Sequence, residues 1–238
     1  MNLDWQAAYD AVLHHPLFFF GLTLGVYQVA LAAYEKTRWM LLQPVLVSMT
    51  LLIAMLMAMG VDYSEYKQGA QLLTLMLGPA TVALAVPLYL NMRRVRQVLW
   101  PTLITLFAGG LFATVLGVGL AWLFGAETLI LQTIAPKSVT SPIAMLVAEE
   151  IGGAASLAAV FVMITGVLGA MFGVELLRLL RITNPAAQGM ALGITAHAVG
   201  TARALEESDE AGAFAALAMS IMGVLTAVLM PLAVALII

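Results

Sequence analysis

Apolar runs of about twenty residues recur along the chain, separated by short polar or charged turns, and each is long enough to cross roughly 30 Å of hydrocarbon. Leu17 to Tyr34 predicts a first helix, with Pro16 at its start. Glu35 to Arg38 is a charged turn, and Trp39 to Gly60 a second helix with Trp39 as an interfacial anchor. Val61 to Gln68 is polar, with Tyr63 and Tyr66 at headgroup depth. Lys67 to Asn91 is apolar but interrupted at Gly78-Pro79, with a further proline at Pro87, and predicts a discontinuous third helix. After the basic cluster Arg93, Arg94 and Arg96, Val98 to Phe124 predicts a fourth helix. Glu127 to Ile134 is too short to span, and Ile143 to Ile151 is a second short piece. Gly152 to Leu180 predicts a sixth helix ending at Arg178 and Arg181. A seventh starts at Asn184-Pro185 and runs to about Leu205, and an eighth covers Ala213 to Ile238 after the acidic turn 206–210.

The distribution of basic residues orients these runs. Lys36, Arg38, Arg93, Arg94, Arg96, Arg178 and Arg181 are expected on the cytoplasmic side. The N-terminus, the 61–67 segment and the acidic turn then fall outside, and the C-terminus inside. Helix 4 must end outside and helix 6 must start there, so the segment between them has to dip in and return as two half-helices meeting near Pro136. A weak internal echo points the same way. Gln68 to Leu72 lines up with Gln188 to Leu192, Thr81 falls on Thr201, and Gly110 falls on Gly223. The expectation is one membrane domain over 1–238, all-α and polytopic. It has seven to eight helical segments in two inverted repeats, about 16–124 and 126–238, with discontinuous helices and a re-entrant hairpin. Such repeats with broken helices are typical of secondary transporters.

Composition narrows the chemistry. Hydrophobic residues make up 63% and charged residues 10%, against roughly a quarter charged in soluble domains, so a membrane class is expected. The chain has no cysteine, which excludes disulfides and thiol catalysis. The scattered histidines suggest no metal site. A net charge of −3 gives no sign of nucleic-acid binding. No nucleophile–base set or cofactor motif is visible, so neither an enzyme nor a cofactor is expected. Met1 to His15 lacks the basic region of a signal peptide, so the first apolar run is expected to remain.

Three breaks hold the candidate chemistry. Ala135 to Ala144 packs Lys137, Ser138, Thr140, Ser141, Pro136 and Pro142 into an otherwise oily chain. Ser141 before Pro142 reads as a helix N-cap. A helix start inside the membrane aims N–H groups and a positive dipole end at the midplane. With Lys137 this favours a small anion, most naturally a carboxylate; the alternative is a surface loop with a solvated lysine. Gly78-Pro79-Ala80-Thr81 is either a second ligand-facing break or a packing kink. In the third, Gly193, His197, Gly200 and Thr201 share one face of a continuous helix by their spacing. His197 is there either a proton carrier or a hydrogen-bonded packing residue. Arg203 either snorkels or pairs with Glu206 or Glu207.

These motifs resemble a known family. Leu77-Gly-Pro-Ala-Thr-Val-Ala-Leu-Ala-Val-Pro87, Pro136-Lys-Ser-Val-Thr-Ser-Pro-Ile-Ala144, and Ala196-His-Ala-Val-Gly-Thr-Ala-Arg-Ala-Leu205 with Glu210-Ala-Gly-Ala-Phe214 look like the LrgB/CidB family of bacterial inner-membrane proteins. The usual Glu-Glu-Gly before the Ala-Phe pair reads Asp209-Glu-Ala-Gly here. The resemblance implies either of two roles. One is a holin–antiholin-like modulator of murein hydrolase export and autolysis. The other is transport of small 2-oxo or 2-hydroxy monocarboxylates of the pyruvate, lactate, glycolate or glycerate class. It also implies a small LrgA/CidA-like membrane partner. Transport is the expected role, with Gly78, Pro79, Thr81, Lys137, Ser138, Thr140, Ser141, His197, Gly200 and Thr201 forming the substrate site. A homodimer is expected, because a rocking bundle needs a fixed scaffold.

Overall fold

The computed structural model describes residues 12, 13, 15–37, 39, 42–83 and 85–237. The expected positions of Met1 to Asp10 and of Arg38 lie outside the described residues, as does the side chain of Thr81. Every regular element is helical among the described residues. Five helical stretches are long and apolar enough to cross a membrane, namely 17–37, 71–90, 99–123, 155–179 and 209–236. Many large apolar side chains on them face outward, among them Phe107, Phe112, Val115 and Trp122. In water such a surface would be an aggregation liability; against lipid it is the ordinary solvent-facing surface.

The chain divides into two compact units, 1–83 and 84–238. The first holds α1 (Pro16–Thr37), α2 (Pro44–Met59), α3 (Tyr63–Gly69) and α4 (Gln71–Ala83). Gln43 caps α2 by accepting a 2.9 Å bond from the Leu46 N–H. Gly60 ends α2 in the left-handed region, φ 69°, which glycine enters without steric cost. The chain then turns by 113° into α3. Phe19 anchors this unit. It is buried with Leu13, Leu56 and Ala70, and Tyr66 meets it edge-on at 5.7 Å. The predicted interruption at Gly78-Pro79 is not present, because α4 continues through both residues. A proline inside a helix removes one donor and one intrahelical bond. Membrane helices tolerate this where the freed carbonyl finds another partner.

The second unit contains α5 (Ala85–Leu90), α6 (Met92–Gln97), α7 (Leu99–Leu123), α8 (Thr128–Ile134), α9 (Ser141–Glu150), α10 (Ala155–Leu179), α11 (Pro185–Glu207) and α12 (Asp209–Ile237). Helices α7 and α12 run in the same direction. Val95, just before α7, packs on Phe214, and Leu106 packs on Ala218 and Met222. The close approaches are made by glycine. A Cβ on Gly110 would run into Met222, and Cβ atoms on Gly189 and Gly193 would run into the backbone carbonyls of Ala211 and Ala215. The first half of α11 therefore lies alongside α12 and parallel to it. It is antiparallel to α10, where Gly173 faces Leu192 and Gly169 faces Ala196.

Two segments each return to the end of the bundle from which they left, the first at the start of α10 and the second at its other end. In the first, α8 and α9 are about 10 and 15 Å long at 1.5 Å per residue, and neither spans. The chain leaving α9 turns at Gly152, φ 88°. It comes back beside α8, where the Ala154 N–H donates to Thr133 Oγ1 at 2.9 Å. This is the expected re-entrant hairpin between the fourth and sixth predicted helices.

The second is α11, which the sequence predicts as a crossing helix. It breaks at His197, whose φ 42° and ψ −129° are non-helical. Beyond the break the chain folds back. A Cβ on Gly200 would collide with the Leu192 carbonyl and with Ala196, although eight residues of straight helix would hold 192 and 200 about 12 Å apart. Ala204 is buried in one cluster with Leu192, Val174 and Leu177. Glu207, at the far end of α11, bonds Arg178 at 2.8 Å, next to where α11 begins. We refer to the halves as α11a (185–196) and α11b (198–207). The Arg178–Glu207 and Arg94–Glu210 pairs place the acidic turn at the same end as the basic cluster. This corrects the expectation of opposite faces. It also corrects the expected C-terminus, because α12 ends at the side opposite the arginines. The physical reason is that acidic residues carry little topological information, and two half-helices joined by a turn have much the hydropathy of one crossing.

Candidate functional site

The two hairpin tips converge on one residue of α10. Val139, at the tip of the α8–α9 hairpin, is buried against Val162 and Ala144. His197, at the tip of α11, is 3% exposed, and its Nε2 lies 2.9 Å from the Val162 carbonyl oxygen. A Cβ on Gly166, one turn further along α10, would fall 2.7 Å from the imidazole, so glycine there makes room for the ring. Val162 and Gly166 lie near the middle of α10.

Lys137 is the charged residue of the first tip. Its Nζ donates to the Ala113 carbonyl of α7 at 3.3 Å and to Ser138 Oγ at 3.2 Å. Its stem runs over Gly117, where a Cβ would sit 2.6 Å from the lysine Cε. Among the described residues no carboxylate lies within ion-pairing distance of it. Both of its partners are neutral oxygens, so the cation is hydrogen-bonded without being neutralised. Ser138 is buried. The N-cap of α9 is Thr140, not Ser141, and its side chain makes no capping bond. Ser141 and Pro142 occupy the first two helical positions, and the proline costs nothing there because its missing N–H would have no intrahelical partner.

On the second tip, Thr201 is fully buried. Its Oγ1 donates to the His197 carbonyl at 2.8 Å and approaches Met219 Sδ at 3.9 Å. Gly193, His197 and Gly200 do not share a face. They point respectively at α12, at α10 and back at α11a, because the shared spacing holds only for a continuous helix. Arg203 pairs with both Glu206 at 2.8 Å and Glu207 at 2.7 Å. Of the first tip, Val139 meets Val162, on which His197 of the second tip also rests, whereas Lys137 turns to α7; Gly78, Pro79 and Thr81 belong to the first unit. Sequence reasoning missed Val162, Gly166, Ala113 and Gly117. Only the two glycines carried a signal, and it was indistinguishable from ordinary helix-packing glycine.

Residues 23–236 match the family model described as the LrgB-like family. The chain is 35% identical to protein YwbG of Bacillus subtilis (strain 168) over 205 residues, 86% of this chain and 91% of that one. It is 31% identical to the holin-like protein CidB of Staphylococcus epidermidis over 88% of this chain and 92% of the relative. It is 29% identical to the antiholin-like protein LrgB of Bacillus subtilis (strain 168) over 93% and 96%. No solved structure matches the chain.

Proposed function

Because the chain belongs to the LrgB-like family, we propose that it is a secondary transporter of small monocarboxylates, of the pyruvate, lactate, glycolate or glycerate class, acting with an LrgA/CidA-like partner in the bacterial inner membrane. The arginine-bearing end of the second unit is the cytoplasmic face, following the excess of basic residues there, and the C-terminus faces outward.

The observation that carries this reading is Lys137. A cation held at the tip of a re-entrant hairpin, with neutral oxygens as its partners, is costly unless an anion joins it. A carboxylate entering beside it would meet the ammonium, the Ser138 hydroxyl and the first N–H groups of α9. The dipole end of α9 offsets about 0.3–2 kcal/mol of the anion's lost hydration. Charge-assisted bonds contribute roughly 1.5–3 kcal/mol each, so bonds and ammonium together outweigh the dipole. The opposed hairpin has a purpose in alternating access, because each tip closes one path to the middle of the bundle.

The names of the relatives favour a second reading, a holin-like pore or a modulator of murein hydrolase export. Flux separates the two. Liposomes containing the purified protein, with and without an LrgA-like partner, are expected to take up labelled pyruvate or glycolate saturably and to retain a large dye. Dye release without carboxylate selectivity would support the pore.

A further inference from the structure

We propose that α11b is a gate, latched shut by the Arg178–Glu207 ion pair at the end of the bundle that carries the basic cluster. Its use in substrate passage rests on the transport reading; its motion does not.

The two halves of α11 differ in what holds them to α10, glycine contacts to the backbone for one and side chains with an ion pair for the other. α11a is pinned on two sides, by the glycine contacts to the α12 backbone at Ala211 and Ala215 and by the facing glycines of α10 at Gly169 and Gly173. α11b is a short lever between two joints. One joint is His197 with its positive φ, and the other is Ser208, whose φ of −169° breaks helicity before α12 begins. Ala198, Ala202 and Glu206 on α11b are exposed. Its hold on α10 is apolar, through the buried Ala204 against Val174 and Leu177 and through Val199 against Gly166, apart from one ion pair, Arg178–Glu207 at 2.8 Å. On the other side Thr201 and Leu205 rest on Met219 and Gly212 of α12.

The neighbouring charges pre-organise that pair without adding to it. Glu175 bonds Arg178 within α10 at 2.9 Å, and Arg203 bonds Glu206 and Glu207 within α11b. These intrahelical bonds survive when the lever swings, so Arg178–Glu207 is the ion pair that opening breaks. Arg178 is half exposed at 53%, so water stands ready to solvate both charges once they part. Such a contact sets a closed position without making it permanent. Swinging α11b away from α10 would uncover the His197–Thr201 segment, which meets the first hairpin at Val162.

The absence of native cysteine makes the test direct. A single Ala204→Cys reporter in the purified full-length protein is buried when the gate is shut, so its reaction rate with N-ethylmaleimide follows the open population. Arg178→Ala and Glu207→Ala should each raise that rate about threefold, the population shift produced by losing one half-exposed ion pair. The charge reversal Arg178→Glu with Glu207→Arg should return it toward the starting value. An Ala218→Cys reporter on α12, buried against Ile194 of α11a and Leu106 of α7, should not change. Unchanged Ala204→Cys rates in both single variants would overturn the gate. A parallel rise at Ala218→Cys would overturn it as well, because it signals general loosening. If the reporters behave in this way but the wild-type protein takes up no pyruvate, the gate stands and the transport reading falls.

Discussion

His197 sits at φ 42° and ψ −129°, a region that costs a side-chain-bearing residue about 1–3 kcal/mol. Its bond to the Val162 carbonyl returns about 1 kcal/mol. Replacement by alanine keeps the strain and loses the bond, whereas glycine loses the bond and relieves the strain. We therefore predict that His197→Gly melts higher than His197→Ala, the reverse of the roughly 1 kcal/mol advantage of alanine inside a helix. Thermal unfolding of the two purified variants checks this; a higher melting point for alanine would mean that residue 197 is helical and α11 continuous. Thr102 supplies an independent test. It is fully buried in α7, and its hydroxyl has no partner among the described residues. Thr102→Val keeps the shape and removes an unsatisfied polar atom, so it should raise stability by about 1–3 kcal/mol.

At the level of elements, the membrane helices were legible because hydrophobic length is a one-dimensional property. The predicted crossing at 98–124 is the observed Leu99–Leu123, and that at 152–180 is Ala155–Leu179. The first hairpin was legible for a different reason, since Pro136 and Pro142 break it and Glu127 to Ile134 is too short to span. The hairpin of α11 was not legible. It contains no proline after Pro185, its tip is an ordinary histidine, and the contact that reveals it, Gly200 against the Leu192 carbonyl, joins residues eight apart. The break predicted at Gly78-Pro79 failed in the opposite sense, because proline in a helix of this kind can be absorbed. Of the candidate site, Lys137 and Ser138 were readable as polar atoms where polarity is costly. Val162 was not, because its contribution is a backbone carbonyl. The same geometry predicts that Gly200→Ala destabilises the protein, although alanine normally stabilises a helix over glycine. Thermal unfolding would contradict the folded-back α11 by showing a gain.

For the molecule as a whole, the path of the chain makes a prediction about sides. Cysteines placed one at a time at the exposed positions Thr128, Glu150 and Leu236 should label with an impermeant thiol reagent from the face opposite Arg178, and one at Ser208 from the face of Arg178. Were Ser208 and Leu236 to label from the same face, α12 would not cross; labelling of Ser208 from the face opposite Arg178 would contradict the placement of the acidic turn beside the arginines. Transport of small monocarboxylates requires above all an anion bound at the first hairpin tip. The most direct test of that binding is ligand-induced thermal stabilisation of the purified protein by pyruvate or glycolate. A ligand at a hundredfold excess over its Kd stabilises the folded state by about 2.7 kcal/mol, so the wild type should melt several degrees higher with it. Lys137→Ala should fold normally, since it loses a costly cation in the membrane, and should show no such shift. Equal stabilisation of Lys137→Ala and wild type would contradict the account, because the carboxylate would then bind elsewhere and the 136–142 turn would be only a turn.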